Sequence, residues 1–174
     1  MLDNGHSFVM AYDAQLVDMS QVVPGGNPEA IVTGFVLQEL DMSRNVVLQW
    51  RSWDHFEITE TGPEIDLTGE HIDYVHGNTI EVESDTSILI SSRNMHEVTK
   101  IHRNTGEIIW RLGGSQNQFT FLGADTLRFN RQHDSRRQST GEISIFDNGT
   151  TRPEPQFSSV PVFDLDTEEM TATL

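Results

Sequence analysis

Leu40-Asp41-Met42-Ser43-Arg44-Asn45-Val46-Val47-Leu48-Gln49-Trp50 reads as two short strands around a polar turn, closed by a tryptophan. Ile101-His102-Arg103-Asn104-Thr105-Gly106-Glu107-Ile108-Ile109-Trp110 is the same hairpin one residue shorter, and the two tryptophans stand 60 residues apart. Leu165-Asp166-Thr167-Glu168-Glu169-Met170-Thr171-Ala172-Thr173-Leu174 is a third copy. Trp50 follows Asp41 by nine residues, so the third tryptophan is expected at position 175, one beyond Leu174.

A second element recurs between these hairpins. His76-Gly77-Asn78-Thr79-Ile80 leads through Ser84-Asp85-Thr86 into Ser87-Ile88-Leu89-Ile90-Ser91-Ser92-Arg93. His133-Asp134-Ser135 leads through Ser139-Thr140-Gly141 into Glu142–Asp147, and Asn4-Gly5-His6 leads into Ser7–Ala11 with no strand before it. Each unit therefore reads as four strands, the first carrying a histidine and the last ending in tryptophan. Four antiparallel strands at a period of about 40–60 residues are the mark of a propeller blade. The expected fold class is all-β, a β-propeller fragment of about three four-stranded antiparallel blades. The blade remnants lie at about 1–60, 70–115 and 128–174 of one partial domain. A small β-sandwich is the alternative.

The remaining stretches agree with an all-β chain. Helical periodicity is nearly absent, and Gly, Asn and Asp separate short alternating or β-branched runs. Asp13–Ala30, with Pro24-Gly25-Gly26-Asn27-Pro28, and the acidic Asp54–Tyr74 are read as long loops. Loops beyond about 12–15 residues are usually functional or mobile.

The bulk properties exclude some partners. The net charge of −16 and pI near 4.6 argue against nucleic acid and against an anionic membrane surface. No apolar run approaches the roughly 18 residues of a membrane helix, so no membrane insertion is expected. With no cysteine, disulfides and Cys-ligated zinc are ruled out. The seven histidines show no metal-ligand spacing, and no serine sits in a nucleophile motif. Met1 is followed directly by a turn and a strand rather than by a leader, which fits either a cytoplasmic protein or a missing N-terminus.

His76 and His133 occupy the same position in successive units, at the head of the innermost strand. Arg152 follows the strand end and turn at Asp147-Asn148-Gly149-Thr150-Thr151. Two imidazoles and a guanidinium converging there would hold a tetrahedral oxyanion, with imidazole as the proton carrier near neutral pH. Packing histidines bonded to neighbouring strands are the alternative. His55, beside Trp50, Trp53 and Phe56, is read as fixing a blade end, and Trp50 and Trp110 as packing between blades. Arg93 is either a channel residue or the partner of a nearby carboxylate.

Several of these segments together resemble the arylsulfotransferase (aryl-sulfate sulfotransferase) family. They are Trp50-Arg51-Ser52-Trp53-Asp54-His55-Phe56, Asp73-Tyr74-Val75-His76-Gly77-Asn78-Thr79-Ile80 and Ser91-Ser92-Arg93-Asn94. Trp110-Arg111-Leu112-Gly113-Gly114, Arg131-Gln132-His133-Asp134 and Phe146-Asp147-Asn148-Gly149 complete the likeness over nearly the whole chain. The resemblance implies a six-bladed propeller that moves a sulfuryl group from an aryl sulfate to a phenolic acceptor through a histidine intermediate. It implies no cofactor and an exported, periplasmic or extracellular, protein. It puts His76, His133 and Arg152 around the sulfuryl group. The family's nucleophilic histidine would follow Phe146–Gly149, but Pro153–Leu174 contains none. The nucleophile is therefore expected outside this stretch, the stretch alone is expected to be inactive, and an oligomer is expected only if the chain is complete. Two other readings stay open. One is a non-catalytic propeller that binds a ligand or protein; the other is suggested by Asn104–Trp110, which is similar to the docking repeats of quinone-dependent dehydrogenase propellers.

Overall fold

A computed structural model describes residues 2–84, 86–123 and 128–174. The chain is all-β, and its only helical pieces among the described residues are single 3₁₀ turns. No helix among them is long and apolar enough to cross a membrane. The strands form three mainly antiparallel sheets, none closed on itself.

The first sheet contains β1 (Ser7–Val17), β2 (Ala30–Leu40), β3 (Val46–Arg51) and β4 (His71–Asp73). The Leu40–Trp50 hairpin forms as β2 and β3, with Leu37 opposite Trp50. Its turn is set by Asp41, whose carboxylate accepts from the backbone N–H groups of Ser43 and Asn45, each at 2.8 Å. The stretch expected to be a loop from Asp13 is strand as far as Val17, with Leu16 opposite Ile31. The polar–apolar alternation of Tyr12–Val17 continues the pleat, so the connection shrinks to residues 18–29. β4, within the expected loop Asp54–Tyr74, runs parallel to β2.

The second sheet is an antiparallel meander of β5 (Gly77–Ser84), β6 (Ser87–Ser92), β7 (Glu97–His102) and β8 (Ile108–Gly113). The turn read at Ser84-Asp85-Thr86 includes Asp85, outside the described residues. The third sheet orders β10 (His133–Arg137), β11 (Ile143–Phe146), β12 (Val162–Asp166) and β13 (Thr171–Thr173) in the same way. It gains β9 (Thr120–Leu122), parallel to β13.

Two apolar clusters join these sheets in series. Phe35, Leu37 and Trp50 of the first sheet pack with Ile88, Ile90 and Ile101 of the second. Leu89, Val98, Trp110 and Leu112 of the second pack with Ile143, Ile145 and Phe163 of the third. Odd and even positions of β6 thus serve opposite neighbours, and all six of its residues are buried. A strand buried on both faces reads as a continuous apolar run, as Ile88-Leu89-Ile90 does. Trp50 and Trp110 lie in these contacts between sheets, where the sequence reading put them.

Charge joins the second and third sheets at their first strands. Glu83 on β5 meets Lys100 of β7 at 2.7 Å and is paired with Arg137 of β10. Burial alone would raise the Glu83 carboxyl, but Lys100 and Arg137 outweigh it and hold the group below its ordinary value. A carboxyl whose folded-state value is depressed stabilises at neutral pH and loses that contribution as pH falls through the folded value. Wild-type melting temperature is therefore expected to fall with acid below about pH 4.3, the ordinary glutamate value. Glu83→Gln should flatten that limb; an unchanged limb would show that this bridge does not matter.

Candidate functional site

The register brings the quoted motifs to one end of the sheets. Gly77 lies opposite Ser92, so His76 and Arg93 flank the same rung, and the Arg93 N–H donates to the His76 carbonyl at 3.0 Å. His133 lies opposite Phe146, so it neighbours Asp147 and Asn148.

Asp73 holds His76 twice. Its Oδ1 accepts the His76 backbone N–H at 2.9 Å, and its Oδ2 lies 2.6 Å from His76 Nδ1. The Asp-x-x-His spacing allows both because His76 turns to φ +51°. A histidine at positive φ is uncommon and is kept here by surrounding bonds. Asn94 supplies two of them, donating its N–H to the Val75 carbonyl and Nδ2 to the Asp73 carbonyl at 2.6 Å.

Gln132 anchors His133. Fully buried, it donates from Nε2 to Ser91 Oγ, the Ser92 carbonyl and the Glu97 carbonyl, and so pins the head of β10 to the second sheet. Asn78 donates to the Gln132 carbonyl at 3.0 Å, and the Asp134 N–H donates to Thr79 Oγ1 at 2.9 Å. Asn148 orients the ring: its Nδ2 donates to the Arg131 carbonyl and faces His133 Nδ1 at 2.9 Å.

The two imidazoles meet edge to face, with centroids 6.2 Å apart. Their partners differ. His76 donates from Nδ1 to the Asp73 carboxylate. His133 accepts at Nδ1 and carries its proton at Nε2. Burial, then the charges of Arg93, His76 and Arg131, lower the His133 value, although the Arg131 carbonyl works the other way. His133 is therefore a neutral N–H donor at pH 7.

Arg152 makes its contacts elsewhere. Its guanidinium pairs with the buried Asp147, donates to the Arg128 carbonyl at 3.1 Å and lies over the Phe157 ring. It lines a cavity of about 490 Å³ with Met95, His96 and Phe129, which neither His76 nor His133 lines. Asp147 also accepts from the Asn130 and Gly149 N–H groups and from Ser159 Oγ. It thereby folds the turn that aims Asn148 at His133.

His55 stacks on Trp50 at 4.6 Å with planes 3° apart, and burial lowers its value. Asp73, Gln132 and Asn148 were quoted within motifs but given no role. The signals were there: a carboxylate three residues before a histidine, and side-chain amides beside histidine or in a turn. No group of three or more potential metal ligands converges among the described residues.

A family model described as Arylsulfotransferase (ASST) matches residues 1–174. No curated protein matches the chain.

Proposed function

We propose, since this chain belongs to the arylsulfotransferase family, that His76 and His133 handle protons as a sulfuryl group passes from an aryl sulfate to a phenol. The observation carrying this reading is the facing pair of imidazoles, 6.2 Å apart, with Asp73 at one Nδ1 and Asn148 at the other.

In the first half-reaction the bond between sulfur and the aryl oxygen breaks, and a bond from sulfur to a histidine nitrogen forms. His133 Nε2–H stabilises the leaving phenolate by donating a hydrogen bond to its oxygen. In the second, the oxygen of the acceptor phenol attacks sulfur, the bond between sulfur and the histidine nitrogen breaks, and the phenol proton passes to His76 Nε2. His76, held in place by Asp73, then releases that proton to the next departing phenolate. The family likeness puts the nucleophile after Phe146–Gly149, where this chain has no histidine, so we place it outside this stretch. The same likeness puts Arg152 on the sulfuryl oxygens. Its ion pair with Asp147 supports a bracing role instead, through the turn that aims Asn148.

The three sheets fit successive blades of one partial propeller, with remnants at about 1–60, 70–115 and 128–174. The repeated strand order of the second and third sheets and the serial packing support this reading. β4 and β9 then latch loops onto neighbouring strands.

Binding of 4-nitrophenyl sulfate should shift the ring signals of both His76 and His133 in NMR spectra. His76→Gln and His133→Gln should each weaken it by about tenfold or more, the scale of one lost charge-assisted hydrogen bond. Binding that leaves both rings unperturbed would overturn the assignment and favour a non-catalytic binding module.

A further inference from the structure

We propose that Arg93 is the anion-binding residue of this site, taking the terminal oxygens of a singly charged sulfate ester beside His133 and His76. This rests on the reading of the histidine pair above.

In a chain of net charge −16, arginines find carboxylates easily. Arg51, Arg103, Arg111, Arg131, Arg137 and Arg152 each hold one. Arg93 does not: among the described residues its guanidinium has one polar contact, from Nη1 to the neutral amide oxygen of Asn94 at 3.0 Å. A guanidinium has five N–H donors, so four remain. Arg93 is half-buried, and removing a cation from water without a counter-charge is costly.

The nearby carboxylates are already committed. Both oxygens of Asp73 serve His76. Glu64 is held by Arg131 at 2.9 Å and by His96 at 3.0 Å. Burial and the neighbouring Arg131 both work against the charge on Arg93, and its field acts on the His133 ring. The Arg93 main chain is bonded to that of His76, so the cation is tied to the pair.

The arrangement selects a ligand class. An aryl sulfate carries one negative charge at any ordinary pH, which a single guanidinium balances. The planar fork matches two of its oxygens, and the neutral His133 N–H can take the bridging oxygen. A phosphate monoester carries about −1.5 to −2 at pH 7, and the nearby Arg131 is already paired with Glu64, so the excess charge would have no uncommitted cation to meet. Arg93 is thus proposed to set both the affinity for sulfate esters and their preference over phosphate esters.

The test compares wild type with Arg93→Gln, Arg93→Lys and Arg44→Gln, using 4-nitrophenyl sulfate, 4-nitrophenyl phosphate and neutral 4-nitrophenol in calorimetry. Arg44, on an exposed hairpin turn, controls for the loss of one charge. Arg93→Gln should weaken sulfate-ester binding by about 10- to 100-fold and leave 4-nitrophenol unchanged. Arg93→Lys should recover part of the loss, and Arg44→Gln should have no effect. The His133 titration followed by NMR should move upward in Arg93→Gln, and the loss confined to the sulfate ester, with 4-nitrophenol unchanged, is what a merely structural role would not produce. Should Arg93→Gln unfold, Arg93→Lys decides, and a several-fold loss confined to the sulfate ester is expected. Wild-type affinity in a folded Arg93 variant, with His133→Gln still impaired, would overturn this assignment alone. Wild-type affinity in the histidine variants as well would overturn the reading of the pair.

Discussion

Trp50→Ala is expected to lower the unfolding free energy by about 3–5 kcal/mol, the usual range for deleting a buried tryptophan. Trp50 is only 1% exposed and touches three rings: Phe35, the stacked His55 and Phe56. Its Nε1–H also donates to the Gly106 carbonyl at 3.0 Å, across from the first sheet to the β7–β8 turn of the second. Gly106 has φ +74°, and a Cβ there would stand 3.2 Å from Trp50 Cδ1, so the turn is shaped to receive the ring. Trp50→Phe separates the two contributions. It keeps much of the packing but strands the Gly106 carbonyl, at about 1–3 kcal/mol. Urea unfolding measures both variants, and equal losses would show that the hydrogen bond outweighs the volume. In Trp50→Ala, water should reach His55 and raise its titration toward the ordinary value, reversing the burial that now lowers it.

Arg111→Met should cost a similar amount, about 3–5 kcal/mol, for a different reason. Arg111 Nε and Nη2 each lie 2.8 Å from an oxygen of Glu97, Nη2 also reaches Glu60 at 2.7 Å, and the guanidinium covers the Phe56 ring. Glu97 is fully buried, and its other polar side-chain contact is Thr99 Oγ1 at 2.6 Å. Burial pushes the Glu97 carboxyl up against the pull of Arg111. Without Arg111 only the Thr99 hydroxyl still opposes burial, and Glu97 should bind a proton in the folded state. A carboxyl raised on folding stabilises below its unfolded value, and that contribution is lost as pH rises through the folded value. The deficit of Arg111→Met should therefore be smallest below about pH 4.3 and grow above it. Arg111→Met combined with Glu97→Met should recover much of the loss, since two apolar groups leave no orphaned charge. A pH-independent deficit that the second substitution does not relieve would sink this account.

The parts of the fold that were legible in the sequence share a local cause. The three hairpins announce themselves through turn chemistry over about ten residues, as Asp41 and Asp166 show by capping their own turns. β6 shows itself as an apolar run because it has neighbours on both faces. What escaped was determined at long range. β4 and β9 are three-residue strands held by distant parallel partners, and no local pattern marks them. The second half of β1 was hidden by the Pro24–Pro28 cluster beyond it, although its alternation continues to Val17. At the site, repeat position alone paired His76 with His133. It could not tell Arg93 from Arg152, because the difference lies in which carboxylates are already committed. Arg152 has a buried aspartate five residues before it; Arg93 has Asp73 and Glu64 nearby, both engaged by other groups.

Because β6 has protein on both faces, its amides should be among the slowest in the molecule to exchange with deuterium. Opening it to solvent would require both neighbouring sheets to separate from the second sheet. The outer edges, β1 and β9, each pair with only one strand and should exchange sooner. His76 and Arg93 flank the rung formed by Gly77 and Ser92 in that slow unit, so the anion-binding end should keep its geometry while the periphery breathes. In a chain that stacks its sheets in series, the central layer acts as the clamp, and the residues proposed to carry the chemistry are attached to it.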